Sequence, residues 1–155
     1  MPHPNVRLPP PTLFLTFLLL SWLLHHAGAG LHLTQASHWQ RHLLVAGWLV
    51  VLAGSALSVW SIAAFRIART AIMPMYPASR LVTTGPYRYS RNPMYVSLML
   101  VYAGLALIYN SAWPALFLPL VWIAIHWVIR REERALEQSF GTHYAAYART
   151  VGRWI

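Results

Sequence analysis

The chain is predicted to be an all-α integral membrane protein: a single domain over 1–155, built as a bundle of about four transmembrane helices with a short cytoplasmic C-terminal helical segment. Three observations carry this. Hydrophobic residues make up 57% of the 155 positions and charged residues only 10%, too apolar for a soluble domain of this size. The apolar positions gather into runs long enough to cross a bilayer. All twelve basic residues are arginines, and nearly all stand just outside those runs.

The first span is placed at 12–29, after an extended or disordered lead-in through Pro2, Pro4, Pro9, Pro10 and Pro11. Its apolar stretch could pass for a secretory leader. However, the flank His25-His26-Ala27-Gly28-Ala29-Gly30 runs on into further apolar spans, so it reads as a membrane helix. The second span, 43–65, carries no charge and, at about 1.5 Å per residue, covers a hydrocarbon core of about 30 Å. Gly47, Ala53, Gly54, Ser55 and Ser58 give it a strip of small residues that lets another helix approach closely.

The third and fourth spans, 92–108 and 112–129, are short and meet at Tyr109-Asn110-Ser111, where the chain turns back to the side it left. Pro114 fits the first turn of the fourth span, and Pro119 is expected to bend it. With every arginine but Arg41 on one side, Arg7 included, both termini and both polar blocks are expected to be cytoplasmic.

Composition also excludes. Cysteine is absent, which removes disulfides, thiolate metal sites and cysteine nucleophiles. The net charge of +9 points to anionic lipid rather than nucleic acid, because no basic face with interleaved aromatics stands apart from the bilayer.

Two polar blocks, at 80–95 and 130–150, flank the third and fourth spans and end on the same side. In the first, Gly85-Pro86 favours a tight turn, and Pro93 suits the first turn of a helix with Asn92 or Ser90 as its N-cap. The positive end of that helix, with Arg88 and Arg91, suits a carboxylate or phosphate, and Tyr87, Tyr89 and Tyr95 add hydroxyls and flat faces. The plainer alternative is a Tyr/Arg interfacial belt.

In the second block, Glu133, Leu136, Glu137 and Phe140 share a helix face, which turns Glu133 inward where it needs cations or donors. The plainer alternative there is a solvated ladder pairing Arg130 with Glu133 and Arg134 with Glu137. Gly141 is expected to end this helix, and Thr142 to cap a last short one carrying Tyr144 and Tyr147.

His25, His26, His32, His38 and His42 gather on the far side, and His126 lies deep in the fourth span. Opposition of His42 and His126 would allow a metal or haem. With no carboxylate on that side no metal site is assigned, and His126 is expected to make an interhelical hydrogen bond or line a substrate cavity.

Read together, Leu81-Val82 with Gly85-Pro86-Tyr87-Arg88-Tyr89-Ser90-Arg91-Asn92-Pro93-Met94-Tyr95, and Glu132-Glu133 with Leu136, Phe140-Gly141, Tyr144 and Tyr147, resemble the isoprenylcysteine carboxyl methyltransferase family and its phospholipid methyltransferase relatives. The resemblance implies S-adenosylmethionine as cofactor, a lipid-like methyl acceptor arriving from the bilayer, and, through the short bacterial members, an inner-membrane location. It places Leu81, Val82, Gly85, Pro86, Tyr87, Arg91, Asn92, Tyr95, Glu132 and Glu133 around the cofactor, with Arg91 and Glu133 as the catalytic pair. The family most often carries histidine where Asn92 stands.

The expected reaction is methyl transfer to the carboxylate of a prenylated cysteine or a similar lipidic acid, with Arg91 orienting the acceptor oxygen. The alternatives are phospholipid N-methylation with a glutamate as base, a nicotinamide-dependent sterol-type reductase, and a non-enzymatic scaffold or haem-bearing anchor.

Overall fold

The computed structural model describes residues 10–69 and 80–155; Arg7 and the prolines before residue 10 lie outside them. Among the described residues the chain is all-helical: α1 (Pro10–His26), α2 (Ser37–Ile67), a 3-10 turn at Gly85–Arg88, α3 (Pro93–Ile108), α4 (Ala112–Phe140) and α5 (Thr142–Thr150).

The boundaries differ from the hydropathy runs for local reasons. Pro10 and Pro11 belong to the first turn of α1 rather than to an extended lead-in, a position where a missing N–H costs nothing. That helix stops before the expected 29, because the chain turns after His26 and Gly28 takes a φ of +92°. α2 begins at Ser37, ahead of the expected 43, since its polar first turns are helical although they lie outside the apolar run. α4 is one continuous helix of 29 residues, Pro119 included, so the apolar span to 129 and the charged segment after it share one axis.

α2 and α4 are long and apolar enough to cross a membrane. Only 11% and 22% of their apolar windows are buried within the protein, so these are not core helices of a water-soluble fold. α1 and α3, at 17 and 16 residues, are apolar but fall below the roughly 20 residues of a standard crossing.

α3 packs along α2 more extensively than any other pair of helices. The approach is close because glycines face one another: a Cβ on Gly47 would come within 2.8 Å of the Gly104 carbonyl, and one on Gly54 within 2.9 Å of the Ser97 carbonyl. Ser61 continues the line and is fully buried, its hydroxyl donating to the Leu57 carbonyl. The contact strip is therefore Gly47, Gly54 and Ser61, seven residues apart. Ala53 and Ser55 of the expected strip face outward.

On the other side of α3, Phe14 of α1 joins Tyr95, Tyr102, Val121, Ile125 and Ile129 in one apolar core.

The loop between α1 and α2 is clasped to the α3–α4 turn at the end away from the polar blocks. Asn110, at φ +48°, donates through Nδ2 to the Thr34 carbonyl at 2.7 Å and accepts the Thr34 N–H at 3.0 Å. Leu33 N–H bonds to Asn110 O and Ala112 N–H to Leu31 O, and Trp113 Nε1 donates to Ala29 O. With that end fixed, α3 and α4 deliver their opposite ends, where Arg91 and Glu133 stand, to one place.

Candidate functional site

The first polar block is seated on α2. Gly85 holds φ +62°, a value that suits glycine, and a Cβ there would lie 3.3 Å from Trp60 Nε1. Val82 and Tyr87 pack against Ala64, and the Tyr87 ring meets Phe65 edge-on at 5.3 Å. Val82, Pro86 and Tyr87 thus bury their side chains as the footing of the block, and Leu81 is half-buried. What Tyr87 offers outward is its carbonyl, which accepts the Tyr147 hydroxyl at 2.7 Å and draws α5 onto the turn.

Past this footing the polar side chains converge. The Tyr95 hydroxyl donates to Glu132 Oε1 at 2.7 Å, joining the start of α3 to α4. Arg91 Nη1 lies 3.3 Å from Glu133 Oε1 and donates to the Tyr144 hydroxyl at 3.3 Å. Glu133 is buried, and its Oε2 accepts Arg153 Nη2 at 2.7 Å and Arg153 Nε at 2.9 Å. The ladder that would pair Glu133 with Arg130 is therefore replaced by contacts with distant parts of the chain, and Glu137, expected to share the inward face, is exposed.

Asn92 takes the N-cap position of α3 without a side-chain cap, because its Nδ2 donates to the Arg153 carbonyl at 3.1 Å. Ser90 Oγ accepts the Asn92 N–H at 3.0 Å, tightening the turn before the helix. Thr142 is likewise not a cap. Gly141, at φ +50°, ends α4 with its N–H on the Glu137 carbonyl and is itself the residue before α5.

A hollow of about 280 Å³ opens among Arg91, Arg130, Glu133, Arg134, Glu137, Tyr144, Ala145, Ala148 and Arg153. A larger, more open hollow of about 530 Å³ lies beside Thr83, Arg88, Ala146, Tyr147, Thr150 and Val151, with no carboxylate in its wall. The smaller one holds the chemistry. Two buried atoms at its wall, Glu133 Oε1 and Arg91 Nε, have no hydrogen-bond partner, and such groups are costly unless a ligand or water completes them.

Glu132 stands past the apolar stretch of α4. Burial pushes its carboxyl up from 4.5 to about 7; the Tyr95 hydrogen bond acts to lower it and the neighbouring Glu133 charge to raise it. Burial also raises the hydroxyls of Tyr87, Tyr144 and Tyr147, so all three act as neutral donors and acceptors.

The structure thus pairs Arg91 with Glu133 at the hollow and Tyr95 with Glu132 beside it, and ties Asn92 to the Arg153 carbonyl, while Leu81, Val82, Gly85, Pro86 and Tyr87 belong to the turn seated on α2 and do not line the hollow. Sequence reasoning missed Arg153 as a partner of Glu133 and counted Tyr144 and Tyr147 only as motif residues. For the tyrosines the signal was present: their spacing places both on one face of a short helix.

Among the described residues, His42 and His126 do not face each other. His42, at the start of α2, packs on Trp39, and His126 stacks on Trp122 of its own helix at 5.3 Å, its Nδ1 without the expected interhelical partner. His25 does come within 5.4 and 5.1 Å of His26 and His32, ring centre to ring centre. Among the described residues, however, no group of three or more His, Cys, Asp or Glu could hold a metal ion.

A family model described as phospholipid methyltransferase matches residues 42–143, well over half of the 155-residue chain, from the start of α2 into α5. No curated protein and no solved structure matches it.

Proposed function

The chain belongs to the phospholipid methyltransferase family, and from that premise we propose that it transfers a methyl group from S-adenosylmethionine to a lipid headgroup at the cytoplasmic membrane face. The observation that carries this reading is the meeting of Arg91 and Tyr95, from one polar block, with Glu133 and Glu132, from the other.

The donor set fits that cofactor. Glu133 Oε1, ion-paired at 3.3 Å with Arg91 Nη1, and Arg91 Nε are buried without a hydrogen bond, one an acceptor for an amine or ribose hydroxyl and the other a donor for a carboxylate. Tyr144 adds an aromatic face of the kind that attracts a cation. When bound, S-adenosylmethionine supplies a methyl group already activated on a sulfonium. The protein's part is then to align the acceptor and exclude water, effects able to supply about 7–11 kcal/mol of the barrier.

For the acceptor, a phospholipid amine is favoured by the family and by Glu132. A headgroup ammonium must lose a proton before its nitrogen can attack, and a carboxyl titrating near neutral pH is suited to take it. Glu132 then holds that proton while Tyr95 keeps its carboxylate oriented.

A lipidic carboxylate, such as that of a prenylated cysteine, is the second reading. It needs no base, and Arg91, with its free Nε, would orient the attacking oxygen. The inner-leaflet location follows the arginine bias, and α1 and α3 complete a four-span bundle in this reading.

The test is transfer of label from methyl-labelled S-adenosylmethionine, by protein purified in detergent, to phosphatidylethanolamine, farnesyl-cysteine or a quinol-like lipid. Label in phosphatidylethanolamine with a steep loss below about pH 7 supports the amine reading. Label in farnesyl-cysteine with a flat profile selects the carboxylate. No transfer to any lipid overturns the proposal.

A further inference from the structure

We infer that Arg153 is the positioning residue of this site: it commits one oxygen of Glu133 to the protein so that the other is presented to the ligand. The inference rests on the reading that Glu133 faces the cofactor. Both Nε and Nη2 of Arg153 close on the same oxygen, Oε2, at 2.9 and 2.7 Å, while Oε1, buried at the hollow, has the 3.3 Å ion pair with Arg91 Nη1 but no hydrogen bond. Two charge-assisted bonds on Oε2 hold the carboxylate against rotation and leave Oε1, beside Arg91 Nη1, with its hydrogen-bonding capacity unspent.

Arg153 is itself held. Its carbonyl accepts Asn92 Nδ2 at 3.1 Å and the Ser90 hydroxyl at 3.4 Å, and the preceding carbonyl of Gly152 accepts the Arg91 N–H at 2.9 Å. Trp154 stacks on Trp122 of α4 at 6.1 Å. The segment after α5 therefore ties the turn that carries Arg91 to the helix that carries Glu133. The family match ends at residue 143, so this strap is a feature of the chain outside the matched region.

The guanidinium spends Nε and Nη2 on Glu133 Oε2, so its loss acts through the carboxylate. The experiment is equilibrium binding of labelled S-adenosylmethionine, with KM, kcat and thermal midpoint, for wild type, Arg153→Ala, Arg153→Lys, Glu133→Gln and the double variants.

Arg153→Ala is expected to weaken binding about 10-fold or more with a smaller change in kcat, and Arg153→Lys to recover part of the loss. Combined with Glu133→Gln, either Arg153 change is expected to add little, since both act on one interaction. Wild-type binding by Arg153→Ala, or losses that multiply in the double variants, overturns the inference alone. Failure of the wild type to bind overturns the cofactor reading with it. Should Arg153→Ala not fold, the Lys variant and its double supply the same comparison.

Discussion

Tyr95 and Glu132, 37 residues apart in sequence, are joined by a 2.7 Å hydrogen bond in which the phenol donates to the carboxylate. The bond spans α3 and α4 at the point where both leave their apolar stretches. It acts to lower the carboxyl of Glu132, which burial pushes up to about 7.

Tyr95→Phe removes a donor that favours the ionised form, so Glu132 should hold its proton to higher pH. With an amine acceptor, the acid limb of kcat/KM against pH is expected to move to higher pH. An unmoved limb would show that Glu132 does not serve as the base.

The same raised carboxyl links stability to pH. The folded state holds the Glu132 proton up to about 7, against 4.5 for an ordinary carboxyl, so its contribution is greatest below 4.5 and falls as pH rises toward 7. Glu132→Gln cannot ionise and escapes this loss. The thermal midpoint of the variant relative to wild type, followed in detergent from about pH 4 to pH 8, should climb with pH and level off near 7. A pH-independent difference contradicts the assignment.

The α2–α3 contact should be intolerant of added volume. A Cβ on Gly104 would lie 2.8 Å from the Gly47 carbonyl and 3.0 Å from the Val51 nitrogen, backbone atoms that cannot swing aside. Gly104→Ala is expected to cost about 1–3 kcal/mol of stability. Ala53→Leu, on the outward face of α2, should stay within about 0.5 kcal/mol. Unfolding of both variants in one detergent checks the contrast.

Much of this arrangement was legible in the sequence, for identifiable reasons. Helices buried in lipid must be apolar throughout, so hydropathy located the cores of α2, α3 and α4. The i, i+3, i+4 spacing turned Glu133 inward, where it is found. Small-residue content alone did not reveal which face of α2 meets α3; that needed the seven-residue interval linking Gly47, Gly54 and Ser61.

Arg153 was illegible because an arginine near a helix end reads like any surface cation. Its pairing with Glu133 exists only because the chain reverses at Gly141 and α5 carries it back across the first block. Asn92 read as a cap from local sequence, but the same returning segment claims its side chain.

The central claim, that the two polar blocks form one S-adenosylmethionine site, is tested most directly by titrating purified protein with the labelled cofactor. The account predicts saturable binding by wild type, weakened about 10-fold or more in Glu133→Gln, with Arg91→Ala losing far more in turnover than in affinity. Folded wild-type protein that shows no saturable binding, or Glu133→Gln protein that binds as wild type does, contradicts it.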